Sequence, residues 1–241
     1  LIQVDDSYNP EAAWTPGAQP VYRLVLTASE LAYLRQLQTT SSLSESAATM
    51  HATFIAQDGT GLAVRWQCGV RNRGYSSRNG PPNNYHVSFP GDASWQDLAS
   101  VQFNCRYPHS QVLGTAAYAL AGIPVQEAAP VQVRLNATNY AVPFSPGNSF
   151  NAPITFGSYA RVETLGGDWT ARHYPDDRDG NLYRVDDHDQ GNSSVSNDFR
   201  YPGSANPDVY DNIYIKQTNE DLNDYSDLAN LFNALNNTPA A

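Results

Sequence analysis

The chain has 241 residues, 41% hydrophobic and 11% aromatic, enough to bury a sizeable core and too apolar for disorder throughout. Its formal net charge of −10 repels nucleic-acid phosphate and anionic membrane surfaces, and no apolar run is long enough to cross a bilayer. Neither nucleic-acid binding nor membrane insertion is therefore expected.

Residues 1–19, polar and broken by Pro10 and Pro16, read as an extended N-terminal arm. No linker or repeat divides residues 20–241, which read as one domain. The start at Leu1, with no signal peptide, is what cleavage after export would leave. Val21 to Leu26 is a short strand. Thr27-Ala28-Ser29-Glu30 has the form of a capping box, with Thr at the cap and Glu three residues on, and opens a helix carrying Leu31, Leu34 and Leu37 on one face. Met50, Ala52, Phe54 and Ala56 alternate, Asp58-Gly59 makes a turn, and Leu62 to Val70 returns as the second arm of a hairpin.

Further along, Tyr85, Val87 and Phe89 alternate, as do Val101, Phe103 and Cys105. His109 to Ile123 is Ala- and Leu-rich and predicts a helix ended by Gly122 and Pro124. Val131, Val133 and Leu135 make a strand, residues 140–156 an inserted loop, and Ser158 to Thr164 another strand. Residues 173–212 are acidic and turn-rich around the short piece Leu182-Tyr183-Arg184-Val185. Leu228, Leu231, Phe232 and Leu235 recur at i, i+3, i+4, i+7 in a terminal amphipathic helix. The expected class is α+β: a mixed, mainly antiparallel sheet with helices packed on it.

Cys68 and Cys105 are the only cysteines, each on the apolar face of a predicted strand: Val64, Trp66, Cys68 and Val70 in one, Val101, Phe103 and Cys105 in the other. If those strands are neighbours, a disulfide is expected, closing a long loop and stabilising by roughly 4 kcal/mol. The alternative is a pair of buried thiols used as small apolar residues. In the acidic segment, Asp177, Asp179 and Asn181 surround Gly180 in a pattern that suits a loose calcium site. His188 takes the place where an EF-hand needs Glu, so that motif is absent, and a solvated acidic loop is the competing reading. His173 and His188 flank the segment and are too few for zinc. Asn136, Asn192 and Asn236 each open an N-glycosylation triplet. No G-x-S-x-G elbow, P-loop, H-E-x-x-H or ordinary kinase signature is present.

The order of segments carries more. A strand leads into Thr27-Ala28-Ser29-Glu30-Leu31, and a hairpin carries Val70-Arg71-Asn72-Arg73-Gly74-Tyr75-Ser76-Ser77-Arg78. Tyr85 to Phe89 and Val101 to Asn104 follow. Then come Leu120 to Pro124, Ala129 to Asn136, Gly157 to Glu163, Gly180 to Arg184, Tyr214 to Asn219 and the helix Ser226 to Asn237. This series resembles the CotH kinase family, the spore-coat-protein-H-like atypical kinases of exported bacterial proteins, across nearly all of residues 20–238.

The resemblance implies the N-terminal part of a kinase-like fold, ATP and Mg²⁺ as cofactors, and transfer of the γ-phosphate to Ser of exported proteins. Arg73, Arg78 and Glu163 would stand on the nucleotide side. Against this, Asn83 fills the lysine position, with Pro81 and Pro82 before it. His109 and Gly114 fall where the family carries Asp and Arg, and its metal-binding aspartates would lie beyond Ala241. Without those carboxylates and that cation, phosphoryl transfer lacks its metal and its charge stabilisation. The chain alone is therefore expected to be inactive, a pseudokinase. The rival reading is a non-catalytic adhesion or surface-assembly module on the same fold, located outside the cell and binding a protein partner or itself. A carbohydrate-binding β-domain would suit the many Tyr and Trp, but the helices at 107–121 and 226–237 argue against it.

Overall fold

A computed structural model describes residues 19–39, 46–59, 61–74, 83–141, 157–185, 199–211 and 213–238. They fall into two compact units, 1–164 and 165–241. The sequence predicts a single domain from residue 20, because nothing in the composition marks the division near Thr164. The arm 1–18 and Arg78 lie outside the described residues.

The first unit is a closed barrel of seven strands. They are β1 (Val21–Val25), β2 (Met50–Gln57), β3 (Leu62–Arg73), β4 (Asn84–Ser88), β5 (Ser100–Asn104), β6 (Ala128–Leu135) and β7 (Tyr159–Glu163). Neighbours run in the order β1-β2-β3-β4-β5-β7-β6. Every pair is antiparallel except β1 with β6, which closes the ring in parallel. The expected α+β class and mainly antiparallel sheet are present. The sheet nevertheless curls shut into a barrel, and is not the kinase-like lobe that the resemblance implied.

Alternation explains the closure. Tyr22, Leu24, Phe54, Val70, Tyr85, Val87, Val101, Phe103, Val131, Val133 and Leu135 all point inward and are buried. An aromatic cluster fills one end. Trp95, held in a short loop by paired backbone bonds with Leu98, packs against Tyr22 at 5.3 Å and Phe54 at 5.1 Å between ring centroids. Burial pushes the Tyr22 hydroxyl up to about 12, against the partial relief of Arg161.

Two helices rest on the barrel. The first, α1 (Ala28–Thr39), starts as the sequence predicts, with Thr27 Oγ1 accepting from the Glu30 amide at 3.2 Å. Leu34 and Leu37 are buried and Leu31 packs on the same core. The second, α2 (Pro108–Leu120), ends in a Schellman turn: Ile123 N–H bonds Tyr118 O, Gly122 N–H bonds Ala119 O, and Gly122 has φ +74°.

The second unit holds α3 (Gly167–His173), which the sequence reading missed, a two-stranded ribbon of β8 (Tyr183–Val185) with β9 (Tyr214–Lys216), and α4 (Ser226–Asn237). Its core is tyrosine-rich: Tyr210, Ile213, Tyr214, Tyr225, Leu228, Ala229 and Phe232. Of the predicted stripe on α4, Leu228 and Phe232 are buried, whereas Leu231 and Leu235 are exposed.

Candidate functional site

The nucleotide-side residues implied by the resemblance do not converge. Arg73 pairs with Asn84 at the end of β3, and its guanidinium donates to Asn104 Oδ1. Asn104 in turn donates through Nδ2 to Gln111 Oε1 at 3.0 Å. Arg73 thus braces the first turns of α2 through Asn104. Glu163 pairs with Val101, near the other end of β5, and is buried on the inner face. Its carboxylate accepts from the Glu127 amide at 3.2 Å, and its carbonyl accepts from the Gln126 side chain. Two strands separate Arg73 from Glu163, and alternation puts them on opposite faces of the wall. The offset is about 14 Å across the sheet and about 10 Å along it.

The barrel end below Arg73 is lined by buried amides: Asn72, Asn83, Asn84 and Asn104. Each identified bond there is structural. Asn72 donates to Leu34 O of α1 at 3.0 Å, and Asn84 Oδ1 accepts from the Cys105 amide at 2.9 Å. Asn83, noted above at a lysine position, is fully buried at this end.

The disulfide expectation is corrected here. β4 lies between β3 and β5, so the two strands are not neighbours. Cys68 stands one residue before the Gly69–Ser88 pair, whereas Cys105 follows Asn104 at the opposite end of β4. That is six residues, about 20 Å along the strand, far beyond the roughly 7 Å that a disulfide spans. Both cysteines are buried thiols. Cys68 Sγ donates to Arg65 O and Cys105 Sγ to Asn84 Oδ1, each at 3.4 Å. Burial pushes the Cys105 thiol up to about 12.

In the second unit, Asp177, Asp179 and Asn181 lie on the turn before β8. Asn181 Oδ1 accepts from Asn219 Nδ2 at 2.9 Å and faces Lys216 Nζ at 3.4 Å, while Asn219 also donates to Asp179 O. A protein ammonium thus stands where a calcium ion would need that oxygen. Lys216, the only lysine, is itself buried over the Tyr183 and Tyr225 rings at 5.8 and 5.5 Å and donates to Leu222 O. Among the described residues no group of three or more His, Cys, Asp and Glu is placed to hold a metal. Two of the glycosylation asparagines are engaged at the nitrogen that would carry a glycan: Asn136 Nδ2 donates to Leu26 O, and Asn236 Nδ2 to Phe199 O and Phe232 O. Asn192 lies outside the described residues, as does His188.

What stands open instead is α2. The edge toward the barrel carries Pro108, Gln111, Val112 and Thr115, and the helix packs against β6 and β7. Leu113, Ala116, Ala117 and Leu120, spaced i, i+3, i+4, i+7, face solvent, with Leu113 68% and Leu120 90% exposed. His109 and Gly114 lie on this helix. The helix turns a mixed edge of Pro, Gln, Val and Thr to the protein and keeps its leucine stripe outside. From Tyr107 to Gln126 there is no Asp, Glu, Lys or Arg. Periodicity in the sequence reveals such a stripe but not the side it faces. No protein-family model and no curated protein matches the chain.

Proposed function

We propose that this chain is a non-catalytic assembly module of an exported, cell-surface protein, and that it associates with a second copy of itself through α2. The observation that supports this is the solvent-facing stripe Leu113-x-x-Ala116-Ala117-x-x-Leu120. Large solvent-exposed leucines in register on one helix face cost hydration free energy that association recovers. The stripe reads the same in both directions. In a two-fold contact each residue i that meets j is also met by it, so this order sets leucine against leucine and alanine against alanine. In an antiparallel crossing Leu113 meets Leu120 of the second copy, and the alanine pairs let the helices approach. The stretch is uncharged in a chain of net charge −10, so like-charge repulsion between copies is least there. The export and surface location rest on the resemblance to the CotH family.

The phosphotransfer alternative needs Arg73 and Glu163 on one nucleotide, and their opposite faces and offset give it little support. Sedimentation velocity tests the proposal. Wild type should sediment as a dimer, and Leu120→Asp or Leu113→Asp as a monomer with unchanged far-UV circular dichroism. A wild type that stays monomeric at high concentration overturns it, and so does a Leu120→Asp dimer. Incubation with labelled ATP and Mg²⁺ should give no phosphate incorporation; incorporation lost in Arg73→Ala would restore the kinase reading.

A further inference from the structure

The β2–β3 ladder breaks once. It runs from Met50–Val70 to Ala52–Cys68 and resumes at Phe54–Arg65, so Thr53 alone opposes both Trp66 and Gln67. This is a β-bulge, and Gln67 sits in it with φ +56°, a left-handed conformation costly to a residue with a side chain. Strict alternation would send Trp66 to the core beside Cys68. The bulge turns it outward instead, leaving Trp66 68% exposed. The chain thus bears two costs at one place, a strained backbone and a wet tryptophan, and bulges of this kind re-aim side chains at binding sites.

Trp66 is one wall of a cleft of about 510 Å³, completed by the loop Pro90–Ser94. That volume lies within the range of small-ligand sites. The loop is pinned rather than loose. Arg65 Nε donates to Ser94 O at 2.8 Å, Ala93 N–H bonds Pro90 O, and the buried Trp95 anchors its far end. Asp92, Gln67 and Ser94 line the same cleft and bring a carboxylate, an amide and a hydroxyl to it.

We infer that this cleft binds a neutral oligosaccharide, one pyranose ring stacked on Trp66. A pyranose has an apolar face of C–H bonds, which suits an exposed indole, and a rim of hydroxyls that both donate and accept. Asp92 is an acceptor for that rim, and Gln67 and Ser94 serve either role. The net charge of −10 selects against anionic sugars. A proline-rich peptide also stacks on tryptophan, but such grooves are lined by aromatics and do not call for a carboxylate beside the ring. This inference is independent of self-association through α2.

Native gel electrophoresis of the full chain in gels cast with laminarin, galactomannan or xylan tests it. At least one polysaccharide should retard the wild type. Trp66→Ala should weaken that retardation by about tenfold, the equivalent of one stacking contact, with circular dichroism unchanged. Trp66→Phe should keep part of it, and Asp92→Asn should weaken it separately. Three results would overturn the inference: no retardation of wild type in any gel, undiminished retardation of Trp66→Ala, or quenching of tryptophan fluorescence by a polyproline peptide but by none of the sugars.

Discussion

The two helices of the barrel unit carry apolar stripes of similar spacing and meet opposite fates. In α1, Leu34 and Leu37 are buried, and Asn72 clips the helix from below through Leu34 O. In α2 the leucines face water, and Gln111, bonded to Asn104, is the identified polar tie to the barrel end. A helix held by its apolar stripe contributes to stability. One held by polar clips, with its stripe outward, keeps that stripe for something else.

The largest effects should come from the buried stripe. Leu34→Ala removes a fully buried side chain and should cost about 3 kcal/mol in urea unfolding, whereas Leu120→Ala on a monomeric Leu113→Asp background should change stability by less than about 0.5 kcal/mol. Equal costs would break the comparison. Acid should weaken the barrel wall at β4. Burial, together with Arg71 and Arg73, lowers His86 on β4 to about 4, so the folded state refuses a proton that the unfolded chain accepts below its ordinary value of 6.5. Stability from this group is full above pH 6.5 and declines as pH falls toward 4, by on the order of 2 kcal/mol after allowance for partial solvent access. Urea midpoints at pH 7 and pH 4.5 should differ more for wild type than for His86→Gln; equal differences would remove His86 from the account.

Smaller changes sharpen the contrast at the helix ends. Thr27→Ala removes the cap of α1, and Gln111→Ala the clip of α2, each at about 1 kcal/mol. Gly122→Ala forces a side chain into the left-handed turn after α2, at about 1 kcal/mol. Of these, only the two α2 changes should also weaken dimerisation, read by sedimentation equilibrium. The smallest signal is chemical. Two thiols per chain should titrate after unfolding without reductant, and neither in the native protein at pH 8. Reaction of Cys105 ahead of Cys68 would show that the segment leading into α2 opens on its own.

The strands were legible because alternation of apolar residues fixes which face is buried. Alternation does not say which strand lies beside which. Hence the sequence predicted a Cys68–Cys105 bond that the intervening β4 forbids, and offered no sign that β1 would meet β6. Trp66 shows the same gap more finely. It fits the apolar alternation with Cys68, and only the two-against-one count at Thr53 moves it to the surface. The surroundings of Glu163 were illegible for another reason. Residue type and order matched, but whether a carboxylate faces a ligand or a backbone amide depends on its neighbours in space. In α3, Gly166-Gly167 before Asp168 masked a helix of 7 residues that has no side-chain cap.

The closing pair β1–β6 also sets the order in which the barrel can form. The β1-β2-β3-β4-β5 meander joins strands that follow one another along the chain. The β1–β6 seam instead joins Leu26 to Asn136, whose side chain takes the backbone's place with bonds of 2.7 and 2.9 Å across 110 residues. The entropy of closing so long a loop is lost before the seam returns any energy. The meander should therefore assemble first and the seam zip last. Until it does, β1 and β6 are unpaired edges of an open sheet, and a newly made chain is then most exposed to pairing with the wrong neighbour.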